Sequence, residues 1–162
     1  MKKIKLTPRH LIYLLISLAV LGLDMLSKFL TVKYLEPIGT YKLIDGVFQL
    51  TYRENTGAAF SILQGKRVFF LIITMILVLF IAYLLCANIV ENTAACCALA
   101  AIVGGGLGNM IDRAVNGYVV DMFDFCLINF AVFNVADIFI TCGSILFLII
   151  YTFSKGDIIK WK

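Results

Sequence analysis

Four long apolar runs restrict this chain more than any other feature. They cover residues 11–32, 68–87, 93–110 and 130–153, each near the roughly 20 residues a helix needs to cross a hydrocarbon core of about 30 Å. Charged residues make up 15% of the chain, against about 25% in an average soluble domain, and they gather between the runs. In lipid a spanning segment must satisfy its own backbone N–H and C=O groups, which leaves the α-helix for isolated apolar runs of this length. The expected fold is therefore membrane α-helical, with four transmembrane helices in one integral-membrane domain covering residues 1–162. The first run follows Lys2, Lys3, Lys5 and Arg9. It is too long for the apolar core of a signal peptide and no small-x-small cleavage site follows, so it reads as a retained span.

The connections differ in kind. Residues 88–92 form a tight turn that makes a hairpin of spans two and three. Residues 33–67 are a long excursion, and within it residues 41–52 alternate and are rich in β-formers, with Asp45-Gly46 as a turn signal. A small β-structure over about residues 41–63, on the membrane surface between spans one and two, is expected. Residues 111–129 form a second excursion on the same side. Four spans put both termini together, with seven Lys and Arg (Lys2, Lys3, Lys5, Arg9, Lys155, Lys160, Lys162) against six opposite (Lys33, Lys42, Arg53, Lys66, Arg67, Arg113). The dense basic cluster before the first span favours cytoplasmic termini.

A charge near the hydrocarbon is costly, by roughly 2.5–3.5 kcal/mol at the centre of a span, so residues that bear one are candidates for function. With alternating span directions, Asp24 and Lys28 late in span one, Asn109, Asp112 and Arg113 after span three, and Asn134 and Asp137 early in span four all fall at one boundary. That boundary is the outer one if the termini are cytoplasmic, and the convergence holds for either orientation. Asp24 and Lys28 are four apart on one helix face and read either as an ion pair or as part of the site. Gly104 and Gly108 form a GxxxG pattern that lets helices approach closely. Asn109, Asp112 and Arg113 share a face beyond it, where Arg113 can pair with Asp112 or meet a carbonyl or phosphate of a substrate. Residues 117–125 place Asp121 and Asp124 among apolar side chains, which suggests a segment that re-enters or lies on the membrane. Asn134 and Asp137 share a helix face. These acids read either as helix caps and ion-pair partners, or as two carboxyls close enough to share one proton, as in aspartic proteases. Small residues around Asn55 suit a backbone that bends close to a ligand.

Other chemistries have little to build on. The one histidine, His10, is near the N-terminus and no CxxC pair occurs, so no metal site is expected. The five cysteines read as small apolar packing residues. The basic residues form no stripe interleaved with aromatics, so no nucleic-acid partner is expected. The only serine beside Lys28 is Ser27, and there is no phosphate-binding glycine loop.

Five blocks occur together: Leu23-Asp24-Met25-Leu26-Ser27-Lys28, Asn55 to Phe60 (Asn-Thr-Gly-Ala-Ala-Phe), Gly104 to Arg113 (Gly-Gly-Gly-Leu-Gly-Asn-Met-Ile-Asp-Arg), Gly117 to Asp121 (Gly-Tyr-Val-Val-Asp), and Phe133 to Asp137 (Phe-Asn-Val-Ala-Asp). In this combination and order the chain resembles lipoprotein signal peptidase, also called signal peptidase II, over essentially its whole length. The resemblance implies a four-span aspartic endopeptidase of the bacterial cytoplasmic (inner) membrane, with a β-cradle on the outer face and no cofactor. It implies removal of the signal peptide from prolipoproteins just before a diacylglyceryl-modified cysteine, contact with membrane lipids, and inhibition by globomycin. Asp121 and Asp137 match the catalytic pair. Asn55, Asn109, Arg113 and Asn134 match positions that line the site or hold substrate, and Asp24, Lys28 and Asp112 match supporting positions. The family often has Phe after its first catalytic aspartate, whereas Met122 follows here. Asp124 is thus a rival for Asp121, but the spacing from Arg113 favours Asp121 and leaves Asp124 a structural role. An ion- or proton-coupled transporter is the alternative class, and its acids belong near mid-bilayer on broken helices.

Overall fold

The computed structural model describes residues 7–58, 62–128, 130–154 and 158–160. Four helices, α1 (Pro8–Leu30), α2 (Arg67–Cys86), α3 (Thr93–Val115) and α4 (Val135–Phe153), are long and apolar enough to cross a membrane. A π-helical turn, Thr31–Leu35, prolongs α1. A three-stranded antiparallel sheet in the order β1-β2-β3 uses β1 (Thr40–Ile44), β2 (Phe48–Asn55) and β3 (Val119–Asp124).

Helix α3 is the hub, packed against α1, α2 and α4. Its three consecutive glycines explain how, because successive helical residues are turned by about 100°. Gly104 faces α1, where an added Cβ would lie 2.5 Å from the Ser17 carbonyl oxygen. Gly105 faces α4, with the Ala136 carbonyl 2.7 Å from such a Cβ, and Gly106 faces Val78 and Thr74 of α2. Gly108 lies one turn beyond Gly104 against Asp24, so the GxxxG pattern is the α1-facing seam. Gly143 answers from α4, against the Ala98 carbonyl and Ile102. Large apolar side chains on the other faces of α1, α2 and α4, such as Leu15, Phe29, Ile76, Phe80 and Leu148, are exposed. An apolar face of that extent on every outer helix suits hydrocarbon as the surrounding solvent.

At one end of the bundle, Asn92 caps α3 by accepting from the Ala95 N–H (3.0 Å), and Asn88 takes the left-handed conformation at φ 52° just after α2. Residues 158–160 pair with this turn through Glu91 N–H to the Ile158 carbonyl (3.0 Å) and Lys160 N–H to the Ile89 carbonyl (2.8 Å). The sheet stands at the opposite end. Its β1–β2 hairpin turns at Asp45-Gly46, with Gly46 at φ 69°.

Several boundaries differ from those read in the sequence. The segment at residues 117–125 does not run back into the bundle. It forms β3 and pairs with β2, Asn55 opposite Val119 and Arg53 opposite Asp121. Its N–H and C=O groups find partners in another strand, which hydropathy along one segment does not reveal. The sheet therefore draws on both excursions, and residues 59–61 of the expected cradle lie outside the described residues. Helix α3 continues to Val115. Helix α4 starts at Val135 rather than at residue 130, because Phe133 bonds back to Phe123 (3.1 Å) and Asn134 is the cap.

Candidate active site

Two β-structure contacts and one helix start assemble the site. The β2–β3 register brings Asn55 beside Asp121. The Phe133 carbonyl accepts from the N–H groups of Met122 (3.0 Å) and Phe123 (2.8 Å), which clamps the start of α4 onto β3. Asn134 thereby lies against Asp121. It is an N-cap rather than a helix-face neighbour of Asp137: its Oδ1 accepts from the Asp137 N–H (3.0 Å) and its own N–H donates to Asp137 Oδ2 (3.2 Å). Asp137 is thus a capping acid, one of the two readings that the sequence left side by side.

Each oxygen of the two carboxyls receives an N–H. Asp121 Oδ1 accepts from Asn134 Nδ2 (2.7 Å) and Oδ2 from Asn55 Nδ2 (2.9 Å). Asp137 Oδ1 accepts from Asn109 Nδ2 (2.8 Å), and Oδ2 from the Asn134 N–H. Asn134 is fully buried and Asp121 is 1% exposed, while Asp137 is half-buried. Burial pushes the Asp121 carboxyl up to about 7, and the negative charge of Asp137 pushes the same way against the pull of the two asparagine amides.

Behind the pair, Lys28 Nζ meets Asp24 Oδ2 (2.7 Å), Asp112 Oδ2 (3.1 Å) and Asn109 Oδ1 (2.9 Å), all deeply buried. Ser27 donates to the Asp24 carbonyl (2.7 Å) and makes no pair with Lys28. Asn109, Asp112 and Arg113 diverge from their shared helix face. Asp112 takes Lys28, and Arg113 donates to the Gly57 carbonyl (2.7 Å) with its guanidinium 4.8 Å from the centre of the Phe70 ring. Gly57 and Phe70 are the neighbours that sequence reasoning missed; the small residues beside Asn55 hinted at the first, and nothing marked the second. Asp124 lies three residues along β3 from Asp121, accepting from Gln49 Nε2 (2.8 Å) and Thr51 Oγ1 (3.0 Å).

Asp121 stands where two cavities meet. One, of about 560 Å³, runs between α2, α3 and α4, with Thr74, Val78, Ile81, Ile102 and Ile138 in its wall and Asn109, Arg113, Asn134 and Asp137 at its polar end. The other, of about 420 Å³, is polar and opens beside the sheet past Arg53, Glu54, Gln64 and Asp124. A buried and a half-buried carboxyl linked through Asn134, between an apolar cleft and a polar one, can carry out acid–base hydrolysis on a chain that passes from lipid to water.

A profile of the signal peptidase (SPase) II family matches residues 16–153. The chain is 46% identical over 137 residues to the lipoprotein signal peptidase of Caldanaerobacter subterraneus subsp. tengcongensis, covering 85% of this chain and 93% of that one. It is 47% identical over 131 residues to that of Brevibacillus brevis, covering 81% and 88%. A solved bacterial membrane enzyme structure superimposes with a TM-score of 0.81 at 31% identity, covering 93% of both chains. These likenesses leave the transporter alternative without support.

Proposed function

The chain belongs to the signal peptidase II family, and on that premise we propose that Asp121 and Asp137 are its catalytic pair. The chain is an aspartic peptidase of a multi-span membrane type that removes signal peptides from prolipoproteins. The observation that carries the assignment of the pair is the bridging of both carboxyls by Asn134, through its side chain to Asp121 and its backbone N–H to Asp137.

The mechanism follows from that geometry. The pair holds one proton near neutrality, and Asp121 is the carboxyl placed to keep it. The ionised partner takes a proton from water, whose oxygen attacks the scissile carbonyl carbon while the protonated acid hydrogen-bonds the carbonyl oxygen. The tetrahedral intermediate collapses as a proton passes to the leaving amine. The apolar cleft suits the signal segment and the polar cavity suits the mature chain beyond the cut. The diacylglyceryl chains on the substrate cysteine remain in the bilayer, and the cut falls just before that cysteine. Asn55, Asn109, Arg113 and Asn134 line the cleft, and Asp24, Lys28 and Asp112 support it from behind. The enzyme lies in the bacterial cytoplasmic membrane with both termini inside and the pair at the outer face. Globomycin competes for the same cleft, and no metal takes part.

The test is cleavage of a diacylglyceryl-modified prolipoprotein by purified enzyme, followed as a gel shift. Asp121→Asn and Asp137→Asn are expected to abolish turnover while remaining folded, and Asp124→Asn to retain it. Cleavage by either of the first two would overturn the assignment. Activity is expected to persist in a chelator and to fall on addition of globomycin.

A further inference from the structure

We propose that the buried Asp24–Lys28–Asp112 cluster is a positioning device that sets the catalytic pair from behind, through the backbone ahead of each aspartate and through the amide of Asn109. The proposal rests on Asp121 and Asp137 being that pair.

Each acid of the cluster meets Lys28 and one peptide N–H, Asp24 with a separate oxygen for each and Asp112 with one oxygen for both. Asp24 meets Lys28 through Oδ2 and accepts from the Ala136 N–H (2.8 Å) through Oδ1. Asp112 Oδ2 meets Lys28 and accepts from the Val120 N–H (3.1 Å). Ala136 immediately precedes Asp137, and Val120 immediately precedes Asp121. One ammonium thus gathers two carboxylates from α1 and α3, and each carboxylate holds the residue ahead of one catalytic acid.

The hydrogen bond from Lys28 settles the orientation of Asn109. An ammonium has donors and no acceptor; Lys28 donates to Asn109 Oδ1 (2.9 Å) while Asp24 and Asp112 hold it as ion-pair partners. Asn109 Oδ1 also accepts from Asn134 Nδ2 (3.1 Å). Its Nδ2 is therefore directed at Asp137 Oδ1 (2.8 Å). Turning the amide over would set an NH2 against two donors and an oxygen against a carboxylate. Without Lys28 one of those two donors is gone, and the reversed amide would present its oxygen to Asp137, which suits the protonated acid. An ion pair whose only role was to neutralise charge would need one acid, and would have no reason to end on these two peptide N–H groups. The charged and titratable groups around this region are Asp24 and Lys28 from α1, Asp112 and Arg113 from α3, Asp121 from β3 and Asp137 from α4.

Two variants of the full-length enzyme test this on a lipidated prolipoprotein, with Asp137→Asn alongside. Asp24→Asn is isosteric but has one oxygen for two donors. Lys28→Met/Asp24→Asn removes one charge of each sign and so preserves the local balance. Thermal unfolding in detergent establishes that each is folded. For both, kcat is expected to fall by about tenfold or more with KM little changed, as displacement of catalytic groups does. For the double variant the acid limb of the activity–pH profile is expected to move up by about one pH unit. A folded Asp24→Asn enzyme with wild-type kcat overturns the proposal, as does a folded double variant with the wild-type acid limb. Continued cleavage by Asp137→Asn would instead overturn the assignment of the pair itself.

Discussion

At the residue scale, Asn134 decides the site, and its polarity follows from its neighbours. Its Oδ1 is taken by the Asp137 N–H, so its Nδ2 is left for Asp121 and for Asn109 Oδ1. Asn134→Ala removes a helix cap, which costs about 1 kcal/mol, and also removes the donor to Asp121. Turnover is therefore expected to fall far more than the unfolding temperature, measured on the same detergent-solubilised sample. Asp121 makes a second prediction. Its carboxyl lies at about 7, well above its usual value, because of burial first and Asp137 second. The fold thus favours its protonated form, a contribution that is complete at acid pH and is lost as the pH rises through about 7. In the proposed mechanism turnover uses that proton, so the rate should fall as the pH is raised through about 7, read from a pH–rate profile on lipidated substrate. A rate still climbing well above that point would contradict the role of Asp121 as the acid.

At the element scale, α3 can touch three helices because residues 104–106 lack side chains on three different sides. A methyl at Gly105 meets the Ala136 carbonyl oxygen, a backbone atom one residue before Asp137 that cannot rotate away. Gly105→Ala is expected to destabilise by about 1–3 kcal/mol, as overpacking does, and to lower activity by pushing α4 off α3. Gly22→Ala in α1 is the control, since nothing lies within 4 Å of its added Cβ, and it should leave activity unchanged and stability no lower. Differential scanning fluorimetry with a cleavage assay distinguishes the two. Strand β3 shows the limit of element-level reading. Val119 and Val120 are deeply buried, and Phe123 stacks with Phe48 and packs at a tilt against Phe133, so its apolar character serves the sheet, although it mimics a membrane-seeking segment in one dimension.

At the scale of the whole molecule, the sheet and, among the described residues, the buried charged side chains lie at one end of the bundle, and the tight α2–α3 turn with residues 158–160 lies at the other. If the site faces outward, Asp45 in the β1–β2 turn is outside and Thr93 at the start of α3 is inside. In a background with the five native cysteines replaced by alanine, Asp45→Cys should be labelled by an impermeant thiol reagent on intact cells. Thr93→Cys should be labelled only after permeabilisation, and the reverse pattern would invert the orientation.

The sequence by itself determined the four helices, because a run of about 20 apolar residues in lipid has one way to satisfy its own backbone. It also determined that the polar residues gather at one end, because alternating spans sort them by parity alone. The blocks from Asp24 to Asp137 carried the family with them. What only the tertiary structure decided is pairing across the chain. The β2–β3 register, the return of Phe133 onto Phe123, and the direction in which Asn109, Asp112 and Arg113 part company all depend on atoms far away in sequence. Hydropathy and spacing act along the chain, whereas a hydrogen-bond register and an amide's orientation are settled by whichever donors and acceptors the fold brings opposite.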